Sequence, residues 1–272
     1  MQMIKLRSYR LRASRQRAEL LNRLIEWNEN ERKIQMAFWN PWNGCKRVSE
    51  GCRYCFIHEG AKKRQQKIDE IVKGSGFDAP IKKRNGQYVI ESGATIYTSF
   101  KSDFLIEEAD VWREECWGMI RERSDCQFVF LTKRIDRLET CLPNDWGSGY
   151  ENVTIGVSVE NQRIADERLP LLQALPICHK NIICQPLLEP IDLSGYLTDI
   201  ELVMAGGEYH KQGRSMDYQW VRDIRQQCID HKVPFEFRQC STHFIKDGTR
   251  YQLNYRQLFS QAKKAAINWS PE

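Results

Sequence analysis

The sequence predicts an α/β fold, an incomplete (β/α) barrel with an N-terminal helical extension. Three observations predict it. Short apolar, β-prone runs alternate with helical patterns along the chain after residue 33, which is the mark of a parallel sheet with crossover helices. The 272 residues, 41% of them hydrophobic, are enough for one large core. No internal repeat interrupts the alternation, and no stretch reaches the roughly 18 apolar residues of a membrane span.

Taken in order, residues 15–32 set Leu20, Leu21, Leu24, Ile25 and Trp27 near one helical face, which predicts an amphipathic helix. Residues 1–33 are therefore read as a basic helical extension and 34–272 as the barrel domain. Strands are predicted at 35–39, 95–99, 127–131, 153–159, 180–184, 202–205 and 234–237. Helices are predicted at 109–121, at 133–141, at 161–175 with a break at Pro170, and at 216–231. The last begins at Asp217 and ends at His231 and Lys232, charges that suit the helix dipole. Residues 73–87 predict a loop and a mobile lid. Seven strands with helical crossovers favour an open barrel over a flat sheet.

Charge narrows the function classes. The net charge is +5, but Lys5, Arg7, Arg10, Arg12, Arg15 and Arg17 stand in the first seventeen residues without one acid, and residues 61–84 hold eight basic residues against three acidic ones. Two such zones suit an anionic substrate or nucleic acid, and equally a solvated tail and loop. The N-terminus lacks the apolar run of a secretory signal, so the expected compartment is the cytoplasm, with no membrane association.

Ten cysteines in a chain of this kind argue against a disulfide framework. Cys116, Cys126, Cys141, Cys178, Cys184, Cys228 and Cys240 are scattered singly and read as buried thiols. Cys45, Cys52 and Cys55 are different: their C-x6-C-x2-C spacing puts three thiols within eleven residues, in a loop bounded by Pro41 and Gly44 at the carboxyl end of the first strand. Two metals fit. A 4Fe-4S cluster on three cysteines keeps one iron open to a small molecule. Structural zinc needs four closed ligands, and His58 would complete Cys3His. Spacing leaves both open; the position at a strand end of a large βα unit, where active sites gather, favours iron.

Several blocks in order resemble one family. WNPWNGCKRVSEGCRYC at 39–55, FVFLTKR at 128–134, GVSVENQRIADERLPLL at 156–172, QPLLEPIDL at 185–193, AGGE at 205–208 and GRSMDYQWVRDIRQQC at 213–228 are similar to a phage-associated, three-cysteine, radical-SAM-like family of undefined function. The likeness implies an incomplete barrel of the radical S-adenosylmethionine (SAM) type. It implies a cluster on Cys45, Cys52 and Cys55, SAM on the fourth iron, a 5′-deoxyadenosyl radical that abstracts a substrate hydrogen, and a one-electron reductant protein as partner. Tyr54 would shield the cluster. The x6 interval departs from the commoner C-x3-C-x2-C of the superfamily.

By place and likeness together, Ser99, Ser102 and Asp103 after the second strand are expected to meet the SAM ammonium, and Ser158 and Glu160 after the fourth to meet its ribose, with Asn161 capping the next helix. Glu208, after the sixth strand in Gly206-Gly207-Glu208, is a further candidate for SAM. Lys133 and Arg134 are candidates to clamp a carboxylate or phosphate. Gln185 stands where the family leads one to expect glutamate, and Glu189 where glycine is usual, so any carboxylate role has been lost or has moved to Glu189. Arg238 and Gln239 match a basic-amide pair. The rival class is a non-catalytic, zinc-stabilised nucleic-acid-binding protein.

Overall fold

The structure, a computed structural model, describes residues 35–271. The chain divides into units Met1–Gln35 and Met36–Glu272. The helix expected at 15–32, the basic arm and the extension at 1–33 lie outside the described residues.

The second unit is built on seven parallel strands: β1 (Met36–Trp39), β2 (Thr95–Thr98), β3 (Gln127–Thr132), β4 (Val153–Ser158), β5 (His179–Cys184), β6 (Leu202–Gly206) and β8 (Phe235–Gln239). They pair in chain order, β1-β2-β3-β4-β5-β6-β8, and the sheet curls into a half-barrel compatible with an incomplete (β/α) barrel. Strict alternation explains the register. Ile96, Phe128, Val153 and, one pleat on, Thr98, Phe130, Ile155 and Lys180 lie side by side across neighbouring strands and are buried. The alternate residues, among them Phe38, Tyr97, Val129, Leu131, Asn181 and Met204, form the other face, which is more open to solvent.

Helices α1 (Phe56–Lys63), α2 (Asp110–Glu122), α3 (Gln162–Ala174), α4 (Tyr218–Asp230) and α5 (Tyr255–Ala265) accompany the sheet. A three-stranded sheet of β7 (Ser215–Asp217), β9 (His243–Lys246) and β10 (Thr249–Gln252) is added near the C-terminus. Caps fall where side chains that accept backbone N–H groups are expected. Asn161 accepts from Ile164 at 2.9 Å and Asp217 from Gln219 at 2.8 Å.

Three expectations are corrected. Pro170 does not break the helix: α3 runs through it, because Ile164, Ala165, Leu169 and Leu172 form one buried stripe across the proline and that burial outweighs a missing hydrogen bond. Residues 73–87 are not a free lid. Gly74 donates to the Pro41 carbonyl at 2.7 Å, and the wholly buried Arg123 guanidinium donates to the Pro80 carbonyl and, just beyond the segment, to that of Ile90, so the segment is pinned to the body. Of the seven single cysteines six are buried, but Cys178 is half-buried, its thiol directed to the Ser148 carbonyl and the Glu151 carboxylate. Among the described residues no helix is long and apolar enough to cross a membrane.

Candidate functional site

The cysteine loop leaves β1 at the carboxyl edge of the sheet. Gly44 makes the turn with φ of +97°, and a Cβ there would stand 2.3 Å from the Glu70 carbonyl oxygen, so only glycine fits. The Cys45 amide then donates to the Ile68 carbonyl at 2.8 Å. A short 3-10 turn, Glu50–Cys52, carries the second cysteine, and Cys55 is the N-cap of α1.

All three thiols are free, Cys52 buried and the others half-buried. Burial pushes the Cys45 thiol up to about 12 against the pull of the Arg134 guanidinium, and the neighbouring Asp103, Cys55 and Cys52 charges push it further. The three sulfurs feel one another's charge, yet among the described residues no set of three or more His, Cys, Asp or Glu side chains converges as a ligand set for a metal ion. Three thiolates in one loop can take three irons of a four-iron cluster, and with a fourth ligand can close around a single zinc. The donor chemistry of three clustered thiols fits a 4Fe-4S cluster.

Residues from four other strand ends grip this loop. After β2, Ser102 donates its hydroxyl to the Gly44 carbonyl. After β3, Arg134 spans Asp103 (3.0 Å) and the Lys46 carbonyl (2.8 Å). After β4, Glu160, with no exposed surface, accepts from the Ser49 hydroxyl, from the Gly51 amide at 3.2 Å and from Arg168 at 3.2 Å. A Cβ at Gly51 would stand 2.8 Å from the Glu160 carboxylate, which would have to shift. After β6, Glu208 accepts from the amide and guanidinium of Arg214, which also reaches the Glu50 carbonyl at 3.0 Å. Tyr54 stacks on His210 at 4.4 Å between centroids, with the Arg214 guanidinium over the same ring.

Several candidates from the sequence thus have partners inside the protein. Asp103 is buried and its carboxylate accepts from Leu105, Thr132, Lys133 and Arg134, so it organises the strand ends. Glu160 and Glu208 hold the loop, and Ser102 ties down its first turn. Ser99 is the exception. It is 2% exposed, its φ is +59°, and its hydroxyl has no partner. A buried unpaired hydroxyl on a left-handed, non-glycine backbone is costly unless something else binds it. Ser158 is buried at the end of β4, its carbonyl accepting from Arg168 at 2.7 Å.

The remaining candidates are placed as follows. Gln185 packs its side chain against Gly206, where a Cβ would stand 2.8 Å from the amide carbon. Glu189 accepts from the Gln162 amide at the start of α3. Gln239 is buried and donates to the Gly207 carbonyl at 2.7 Å, while Arg238 lies exposed beside the Met204 sulfur. Lys133 lines a hollow of about 250 Å³ with Arg163 and Val48, next to the cysteine loop. His58 is buried, its Nδ1 has no partner, and burial with the nearby Arg47 holds its imidazole below the usual range. Sequence reasoning missed Arg214 as a loop anchor and Arg168 as the partner of Glu160. No local pattern marks Arg214, whose loop partner Glu50 lies 164 residues away.

One family model, described as a protein of unknown function (DUF5131), matches residues 22–267. The chain belongs to DUF5131. No curated protein and no solved structure matches this DUF5131 chain. The match spans the sheet, the cysteine loop and all four of its anchors.

Proposed function

We propose that this chain is a radical SAM enzyme acting in the cytoplasm, with a 4Fe-4S cluster on Cys45, Cys52 and Cys55 and SAM as its second cofactor. The observation that carries the reading is the cysteine loop itself: three free thiols within eleven residues at the carboxyl edge of a curled parallel sheet, gripped from four strand ends. When bound, the cluster supplies the electron that cleaves SAM to methionine and a 5′-deoxyadenosyl radical. The protein's own residues bind and orient. Ser99 offers its unpaired hydroxyl to a polar group of SAM, and Ser158 lines the same edge. Asp103 and Glu208, through Arg134 and Arg214, and Glu160, directly and braced by Arg168, are positioning residues that fix the loop's shape. Tyr54, covered by His210, keeps water from the thiols. A one-electron reductant protein is the expected partner, and an anionic compound, a nucleotide or nucleic acid, the expected substrate class.

The test is anaerobic purification followed by metal analysis. Expected are a brown protein with about four irons and matching sulfide, and slow release of 5′-deoxyadenosine when SAM and a strong reductant are added. Ala at Cys45, Cys52 or Cys55 should abolish both. A specific observation supports a second reading, a zinc-stabilised nucleic-acid-binding protein: the buried His58 has a ring nitrogen without a partner. Colourless protein with one zinc, lost in His58→Ala as in the cysteine variants, would establish that reading instead.

A further inference from the structure

Four aromatic side chains that a core would normally claim stand exposed in one C-terminal region. Tyr209 is 49% exposed, Tyr251 47%, Tyr255 56% and Phe259 38%. Three of them form a continuous strip: Tyr209 and Tyr255 are 5.1 Å apart between ring centroids, and Tyr255 meets Phe259 edge-on at 5.3 Å. The helix spacing produces the strip. Tyr255, Phe259 and Lys263 follow at intervals of four on α5, while Leu258 and Ala262 turn inward.

The same region is basic. Between residues 243 and 269 stand Lys246, Arg250, Arg256, Lys263 and Lys264, against the single acid Asp247. All five cations are exposed, and among the described residues none is in an ion pair. A solvated structural face would pair some of its cations, and a hydrophobic protein interface would exclude them from its centre. Exposed cations outside any ion pair, on the same elements as exposed rings, fit a polyanion that also carries flat, apolar rings. Arg250 and Tyr251 stand on β10, an edge strand of the small sheet exposed along its whole length, and line a hollow of about 170 Å³ with His243 and Ser215.

We propose that this strip is a docking surface for single-stranded nucleic acid, its bases stacking on Tyr255, Phe259 and Tyr251 and its phosphates meeting Arg250, Arg256 and Lys263. Every base has a face to stack, so recognition is tolerant of sequence. The strip leads towards the cysteine loop: Tyr209, at its inner end, precedes His210, whose ring lies on Tyr54. A bound strand is thereby delivered beside the loop. That delivery rests on the proposed function, whereas the binding does not.

The test is fluorescence anisotropy with the full chain and a labelled single strand of about 16 nucleotides, as DNA and as RNA, against the same sequence as a duplex. Expected are preference for the single strand and a loss of affinity of about 5- to 150-fold in Tyr255→Ala and in Phe259→Ala. Tyr255→Phe, which keeps the ring, should bind like the unaltered protein. Replacing Arg250 and Arg256 together by Gln should lower the salt slope by roughly 0.7 for each phosphate no longer neutralised. All these residues are exposed, and an unchanged melting temperature shows that each variant is folded. Unchanged affinity in both Ala variants overturns the proposal, as does preference for the duplex. A dimer that Tyr255→Ala converts to monomer also overturns it, in favour of a second copy of the chain as occupant. Iron content and 5′-deoxyadenosine release report on the cluster separately, so neither proposal's failure is mistaken for the other's.

Discussion

Replacing Glu160 by Gln probes the anchor on which the cysteine loop most depends. The side chain has no exposed surface, and its ion-pair partner, the Arg168 side chain, is only 5% exposed. Truncating one member of such a buried pair costs about 3–5 kcal/mol, because the other charge is left without a counter-charge. Glutamine keeps the volume and one carbonyl oxygen for Ser49 and Gly51, so the loss should fall near the low end, about 3 kcal/mol. At about 2–4 °C per kcal/mol for a chain of this size, the melting temperature should drop by roughly 6–12 °C. The assay is anaerobic thermal melting followed by circular dichroism, with iron content measured on the same samples; iron should fall too, since Glu160 holds Ser49 and Gly51 between the first two cysteines. The double variant Glu160→Gln with Arg168→Met should recover part of the stability by removing the stranded charge. A drop below about 1 kcal/mol, or a double variant worse than the sum of the two singles, would refute the reasoning.

Two further outcomes follow from the geometry. His179 gives Nδ1 to Glu201 at 2.7 Å, and that bond is the main cause of its raised pKa, so the pair's stabilisation is fully present below about pH 6.5 and is lost as pH rises through the raised folded-state value. His179→Asn should therefore cost under about 1 kcal/mol at pH 6 and nothing at alkaline pH, read from melting curves at both. Gly207→Ala should cost about 3 kcal/mol or more, because the new Cβ would stand 2.3 Å from the Ser241 amide nitrogen and backbone cannot yield as a side-chain tip does; a full-strength melt would contradict it.

Much of the fold was legible because strands announce themselves locally. All seven strands predicted from apolar runs lie in the parallel sheet, with ends moved by one or two residues: the last, expected at 234–237, is Phe235–Gln239. Pro170 misled because proline's local cost is visible in a sequence, while the buried stripe that offsets it is visible only once Leu169 and Leu172 have a sheet to pack on. In the candidate site the cysteine spacing was plain. The roles of Asp103, Glu160 and Glu208 were not, because a carboxylate at a strand end looks the same whether it awaits a ligand or an arginine from another loop. The exposed aromatics of α5 were overlooked for a related reason: Tyr255, Leu258 and Phe259 share an amphipathic pattern in which only packing tells the inward residue from the outward ones.

The anchors of the cysteine loop also set an order of assembly. The loop is made early, at residues 45–55, but the groups that shape it belong to Ser102, Arg134, Glu160 and Arg214. Pairings of such long sequence separation form late, after the intervening chain has closed up. A ribosome that has released only the first hundred residues has exposed three thiols with none of these clasps in place. Under the proposed function, metal loading would follow completion of β6 and the turn after it, and a factor delivering iron would meet a chain already folded through Arg214.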